Sequence, residues 1–278
     1  MISVIVVTYN RKVMLKECLD SILKHKPSER FEVIVIDNGS SDGTETLLEN
    51  AFGDKIRFIR YASRKSLWEA KNSGIKEACG DIIAFTDDDC VVSEKWLIQL
   101  KRSLIYSDFV GGPTYATADT RLPWWWRDSL NWLIGLNPKP DKKFLPLGSN
   151  VAFNKNTLSK LEEKKINLSY FPLPYAEDRI RLARLIKTGL LMGINKEMIV
   201  YHRVPLQRLK IAYLIKRSYD EGMASVTLER EIKIVIFNLI ALAINPIRMT
   251  LSTNLNYFFR TIVNLSYIIN LLKTSNFK

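Results

Sequence analysis

Four short runs in the first third of the chain constrain its fold more than any other feature: "SVIVVTY" (3–9), "FEVIVID" (31–37), "KIRFIR" (55–60) and "DIIAFTD" (81–87). Each is rich in β-branched residues and bounded by turn formers, which predicts strands. Between the first two, Leu15, Cys18, Leu19, Ile22 and Leu23 recur at helical spacing, and Leu67, Gly74, Ile75 and Ala78 do so before the fourth. Strands that are apolar along their length, alternating with helices, predict an α/β fold with a mostly parallel, Rossmann-like sheet and helices on both faces. Such sheets bind ligands beyond the carboxyl ends of their strands. Polar clusters stand at three of those ends, "TYNR" (8–11), "DNGSSDGT" (37–44) and "DDD" (87–89), so one crevice can collect all three.

Farther on, Ser93 reads as an N-cap for a helix carrying Trp96, Leu97, Leu100 and Leu104. From "GGPTY" (111–115) to "LPLGSNVAF" (145–153) the chain is rich in proline and tryptophan, and about residues 116–143 read as an irregular insertion. A helix fits "EDRIRLARLIKTG" (177–189), with Gly189 as its stop, and a strand fits "MIVYH" (198–202). Past Pro205 come two strongly apolar segments, 232–247 and 255–273, broken by asparagines, Pro246 and Arg260. Neither is the clean run of roughly 20 apolar residues that a spanning helix needs. In the second, Asn256, Arg260 and Asn264 form a polar stripe opposite Leu255, Phe258, Phe259, Ile262 and Leu265. The expected division is an α/β domain over 1–205 and a helical segment over 206–278.

At 278 residues, 47% hydrophobic and 25% charged, the chain is ordinary globular material and not a disordered one. Its formal charge of +12 favours an anionic partner, whether nucleic acid, acidic lipid or a phosphorylated substrate. Three cysteines without a C-x-x-C pair predict reduced thiols in the cytoplasm. The opening "MISVIVVTYN" reads as a first strand and not as a signal peptide.

Three consecutive carboxylates raise one another's pKa unless a cation or solvent relieves them. The order of "VVTYNR", "VIDNGSSDGT", "KNSGIKEACGDIIAFTDDDC", "GSNVAF" and "AED" closely resembles the family 2 glycosyltransferases, nucleotide-sugar enzymes of the GT-A fold, over roughly residues 1–205. In that chemistry an acceptor hydroxyl attacks an anomeric carbon while a nucleoside diphosphate departs. The site must therefore neutralise a diphosphate and remove a proton. Carboxylates cannot touch a diphosphate directly, but a hard divalent cation with oxygen ligands bridges the two.

The resemblance implies an Asp-x-Asp motif with Asp87 and Asp89 on Mg²⁺ or Mn²⁺, Asp89 being the direct ligand, and His202 completing the coordination. Because either register fits three aspartates in a row, Asp88 stands with Thr8, Tyr9 and Asp37 among the donor-binding residues. A carboxylate at Asp37 suits the N3–H of uracil or thymine and not cytosine, whose N3 is an acceptor, so the implied donor is a UDP- or dTDP-sugar. Gly39, Ser41 and Gly43 read as turn residues. "AED" makes Asp178 the catalytic base, with Glu177 beside it in acceptor binding, although acids at a helix start also answer the helix dipole. "GSN", residues Gly148, Ser149 and Asn150, resembles the loop that meets donor sugar and acceptor. Arg11 reads equally as a surface residue or a site residue. "KRSYDEG" (216–222) is similar to a family pattern in which Lys216 or Arg217 would close over the diphosphate, but a solvated basic helix face is the preferred reading of the two.

"WWW" (124–126), the amphipathic C-terminal segments and the basic excess together predict a monotopic enzyme on the inner face of the cell membrane. The alternative use of the C-terminal helices is packing on the domain or a homodimer. The implied partners are a nucleotide-sugar donor and a glycan or lipid-linked acceptor in cell-surface glycan synthesis, with no nucleic acid. Competing readings are a nucleotidyltransferase and a non-catalytic membrane or nucleic-acid binding module on the same fold. The first lacks the glycine-rich, lysine-bearing loop it would want after its first strand.

Overall fold

The structure, a computed structural model, describes residues 1–24, 30–137, 146–163, 189–226, 240–242, 244–249 and 254–275. Among these, one compact unit takes residues 1–120, 136–163 and 189–203, and a second takes 121–135 and the described residues from 204 onward.

The first unit contains strands β1 (Ile2–Thr8), β2 (Phe31–Asp37), β3 (Arg57–Arg60), β4 (Ile82–Asp87), β5 (Cys90–Val92), β6 (Phe109–Gly111), β7 (Thr114–Ala116), β8 (Val151–Asn154), β9 (Met192–Ile194) and β10 (Val200–His202). Seven of them form one sheet in the order β3-β2-β1-β4-β8-β6-β9, and a small sheet has the order β5-β10-β7. The first four strands of the large sheet are parallel, and β8 runs antiparallel to both β4 and β6. Helices α1 (Lys12–Lys24), α2 (Thr44–Leu47), α3 (Leu67–Glu77), α4 (Trp96–Leu104) and α5 (Asn156–Glu163) belong to the same unit.

Successive strand residues point to opposite faces, and here both faces are covered. Val4, Val6, Val33 and Val35 pack with Leu15, Cys18, Leu19 and Ile22 of α1 and Trp96 and Leu100 of α4. Ile5, Ile34, Ile36 and Ile83 pack with Trp68, Ala70 and Ile75 of α3. Each such side chain is worth about 1.5–3 kcal/mol on burial, which is why the strands read as unbroken apolar runs. A capping box starts α3: Ser66 Oγ accepts from the Glu69 amide at 3.2 Å, and Glu69 Oε2 accepts from the Ser66 amide at 3.0 Å. Trp68 then faces the core and Leu67 is exposed, the reverse of the sequence expectation for Leu67. Ser93 does not cap α4. Lys95 holds the cap position without a side-chain bond, while the Ser93 carbonyl accepts from the Trp96 amide at 2.9 Å and its own amide reaches Ile199 at 3.0 Å.

The second unit holds α6 (Ile211–Val226), α7 (Leu255–Ser275) and a 3-10 turn over Asp128–Ile134. Helices α6 and α7 touch closely at Gly222, where an added Cβ would lie 1.8 Å from Ser266 Oγ and 2.1 Å from the Val263 carbonyl oxygen. The polar stripe expected on α7 is only partly a solvent face: Arg260 is exposed and lies over the Trp132 ring, but Asn264 is buried, Leu265 is exposed, and Asn256 accepts from Trp132 Nε1 at 3.0 Å. Part of the segment read as an irregular insertion is thus packed against α7. Arg217 also departs from the expected solvated face. It is paired at 2.8 Å with Glu221, both largely buried, whereas Lys216 pairs with Asp220 in the open. Of the three tryptophans, Trp124 is exposed and Trp126 is buried, donating to Asn131 Oδ1 at 2.9 Å. No helix among the described residues is long and apolar enough to cross a membrane.

Candidate active site at the strand ends

Strand register decides which polar residues meet. Thr8 pairs with Asp37 across β1 and β2, and Val7 with Asp87 across β1 and β4, so three strands end level. Thr8 Oγ1 donates to Asp88 Oδ2 at 2.8 Å in a buried contact. The next turn passes through Asn10, whose φ of 52° is left-handed. Asparagine tolerates that conformation better than most residues, and Asn10 is held there by the Ser41 amide on its Oδ1 (2.7 Å) and by its own amide on Ser40 Oγ (2.9 Å). The turn carries Arg11 back over the aspartates. Its Nη1 donates to Asp88 Oδ1 and to Asp89 Oδ2, each at 2.9 Å. From the other side β10 pairs with β5 in the register His202 to Cys90, which brings His202 Nε2 to 3.3 Å from Asp89 Oδ1. The Arg203 amide donates to the Asp89 carbonyl at 2.8 Å and fixes the same corner.

Asp88 and Asp89 are therefore no solvated turn. Both are buried, and the cation that relieves them in the described structure is Arg11. The relief is incomplete. Burial first, and the Asp89 charge with it, push Asp88 up to about 6 against the pull of Arg11 and Thr8. Burial, and then the nearby aspartates, raise the thiols of Cys18 and Cys90 well above their ordinary range, so both stay protonated core residues.

A second pocket edge forms at the end of β2. Asp37 is fully buried; its Oδ1 accepts the Ser40 amide at 2.9 Å, and its Oδ2 has no hydrogen bond among the described residues, with Arg60 Nε 3.7 Å away. Asn38 ties down the loop after β3, donating to the Lys65 carbonyl at 3.0 Å and accepting the Lys65 amide at 2.9 Å. Gly39 lets the two loops approach, at φ 87° and with Ser63 and Arg64 backbone 3.3 Å from where a Cβ would stand. The result sets the Arg64 guanidinium over the half-exposed Tyr9 ring, 4.4 Å from its centroid. Sequence reasoning missed Arg64. The signal was the adjacent "RK" in a loop that follows a strand end and precedes a capped helix.

The remaining site candidates fall out unevenly. Asn150 is fully buried and its side chain belongs to the scaffold: Nδ2 donates to the carbonyls of Pro113 (2.9 Å) and Met198 (2.7 Å), and Oδ1 accepts from Trp96 Nε1 (2.8 Å). The Asn150 side chain thus braces the loop from inside; Ser149, also buried, lies 3.5 Å from Thr114 Oγ1. Glu177 and Asp178 lie outside the described residues. Among the described residues no three His, Cys, Asp or Glu side chains gather at metal-holding distance, so Asp87, Asp89 and His202 are not preassembled as a trio. The donor chemistry nonetheless fits a hard divalent cation, because buried carboxylate oxygens of Asp88 and Asp89 already converge on a single cationic nitrogen, with an imidazole beside Asp89.

A mostly parallel sheet whose aligned strand ends carry a buried acidic corner is an α/β domain of the GT-A type. The sequence matches glycosyl transferase family 2 over residues 3–161, more than half of its length, and the chain belongs to that family. It is 32% identical over 99 residues to glycosyltransferase AglE of Haloferax volcanii, covering 34% of this chain and 33% of that one. It is 36% identical over 92 residues to the GalNAc(5)-diNAcBac-PP-undecaprenol beta-1,3-glucosyltransferase of Campylobacter jejuni, covering 32% of this chain and 29% of that one. The matches thus span about a third of these relatives' length. The fold is shared with S. aureus TarS 1–349 in complex with UDP at a TM-score of 0.55 and 15% identity, covering 99% of this chain and 91% of that one.

Proposed function

We propose that the chain is an inverting, metal-dependent glycosyltransferase that moves a sugar from a UDP- or dTDP-sugar to a lipid-linked or polysaccharide acceptor hydroxyl. The observation that carries this reading is the alignment of Thr8, Asp37 and the Asp88–Asp89 corner at level strand ends. Asp37 Oδ2, which is buried and has no hydrogen bond among the described residues, suits the N3–H of a uracil or thymine ring lying beside Tyr9 once the loop makes room for the base. Asp89, with His202 and Asp87, would hold Mg²⁺ or Mn²⁺, which when bound neutralises charge building on the departing diphosphate. Thr8 holds Asp88 in place so that the acidic corner keeps its shape. Gly148 and Ser149 line the side toward donor sugar and acceptor. Asp178 takes the acceptor's proton as the new bond forms, and Glu177 orients that hydroxyl.

The Campylobacter relative, whose name specifies an undecaprenol-linked glycan, supports a lipid-linked acceptor. Peripheral attachment to the inner face of a membrane is supported by the net charge of +12 and the exposed apolar residues Trp124, Leu206, Ile211 and Ile215 of the second unit. Its helices over 206–278 are the attachment segment in this reading. Product analysis is the test: nucleoside diphosphate release with a lipid-linked acceptor, measured with and without EDTA for wild type, Asp89→Asn and Asp178→Asn. Turnover unchanged by chelator and by both substitutions would end the assignment.

A further inference from the structure

We propose that Arg11 is a built-in counter-ion that competes with the donor's divalent cation, holding Asp88 and Asp89 together until the cation arrives and then giving way to it. The inference rests on the reading of that corner as the cation site. Its geometry is specific, since one nitrogen, Nη1, takes an oxygen from each carboxylate at 2.9 Å, occupying the point between the aspartates. The two partners also differ in freedom. The aspartate side chains are 5% and 2% exposed, whereas that of Arg11 is 37% exposed and has an open path to solvent.

The backbone beneath Arg11 is fixed, its carbonyl accepting the Leu15 amide at 2.9 Å in the first turn of α1 and Asn10 being locked before it. Only the side chain need move. Without a cation, two neighbouring carboxylates at this depth repel each other and lose hydration. A guanidinium relieves them in part in the free protein. A doubly charged ion with short oxygen bonds satisfies them better once a diphosphate supplies further ligands. A cation held by Asp89 would stand within a few ångström of the guanidinium on the same carboxylate, so each positive charge weakens the other. Arg11 is in this scheme a positioning residue: it preserves the corner and sets the threshold for loading it.

Mn²⁺ binding, followed by the electron paramagnetic resonance of the free ion, tests this in wild type, Arg11→Gln and Arg11→Lys without nucleotide and with UDP. Removing one like charge a few ångström away at an effective dielectric constant of about 20 tightens Mn²⁺ binding by about tenfold or more in Arg11→Gln, with Arg11→Lys between it and wild type. In chelator Arg11→Gln melts below wild type, and Mn²⁺ closes the gap. Equal or weaker Mn²⁺ binding by Arg11→Gln overturns the inference. Should that variant not fold, the Arg11 Nε–Hε resonance of the wild-type protein decides: it shifts with the midpoint of a Mg²⁺ titration, and a resonance unmoved at saturation overturns the proposal. Wild type that binds no Mn²⁺ with or without UDP removes the cation site and this inference together, while binding indifferent to Arg11 removes the inference alone.

Discussion

Glu32 lies near the start of β2 and Asp88 just beyond the end of β4, at opposite ends of one parallel sheet, and both are largely withdrawn from water. Glu32 receives the Ser3 hydroxyl at 2.6 Å, the Cys79 amide at 2.7 Å and Arg57 Nη1 at 3.2 Å. Burial alone would raise its pKa, but these donors hold it below the ordinary glutamate value. Asp88 has one hydroxyl, a guanidinium shared with Asp89, and a second carboxylate beside it, and is pushed up to about 6. One end of the sheet satisfies its carboxylate and gains stability. The other leaves Asp88 with a raised pKa beside a second carboxylate, which is what a site that accepts a cation requires.

The largest effect expected from this contrast is functional. Asp89→Asn should lower transfer by about 10³-fold or more, an amount usual for the loss of a charge that stabilises a transition state, with the melting temperature unchanged or higher. Substitutions at Glu32 should do the opposite, costing stability and leaving turnover per folded molecule intact. A Glu32 variant that folds normally but has lost turnover would break the comparison.

Asp37 sharpens it at the nucleoside edge. In Asp37→Asn, Oδ1 can keep the Ser40 amide while the open acceptor becomes an NH₂ donor facing the base. Affinity for UMP should fall about 10- to 100-fold by titration calorimetry, since two donors then oppose each other. CMP, whose N3 accepts, should lose far less. Equal losses for both nucleotides would mean that Oδ2 does not face the base.

How much of this was legible in the sequence follows the range of each interaction. The four strands of the parallel half and helix α1 read directly because period and burial are local properties, and both faces being covered makes the runs continuous. Strands β5 to β7 and β9 have only three residues each and exist through pairing with distant partners, which no local pattern announces, whereas β10, as short, lies inside the "MIVYH" run that does read as a strand. The acidic corner was visible as "DDD" and His202 was named with it by resemblance, but the sequence left Arg11 between surface and site. Arg11 reaches it through the left-handed turn at Asn10, and His202 through the β5–β10 register. Asn150 shows the converse failure, because a "GSN" loop does not reveal that its asparagine faces inward. On α7 the period gave an amphipathic helix, but Trp132, far away in the chain, decides how Asn256 and Arg260 are used.

Of intermediate size is the loss at Glu32. Glu32→Gln should lower unfolding free energy by about 1–2 kcal/mol at pH 7, the usual value for a charge-assisted hydrogen-bond set partly kept by the amide. A group whose folded pKa is depressed contributes above its unfolded value, near 4.3 for glutamate, and loses that contribution as pH falls through the folded value. The difference between wild type and Glu32→Gln in urea titrations should therefore be full at pH 6 and shrink below about pH 4.

The smallest effect has the opposite sign and is the most discriminating. Asp88 has its folded pKa raised to about 6, so its contribution is complete below the unfolded value near 3.9 and is lost as pH rises through about 6. Asp88→Asn cannot ionise, and so escapes that loss while giving up part of the Arg11 contact. Measured in chelator, the variant should gain on wild type between pH 4 and pH 7 and end about 1 kcal/mol more stable at pH 8. The two stability differences then run in opposite directions along one pH axis, wild type gaining over Glu32→Gln as pH rises and losing ground to Asp88→Asn. If Asp88→Asn is instead the less stable protein at pH 8, the Arg11 pair outweighs the repulsion from Asp89, the acidic end is as well satisfied as the other, and the shortage of positive charge that motivates a cation there is absent.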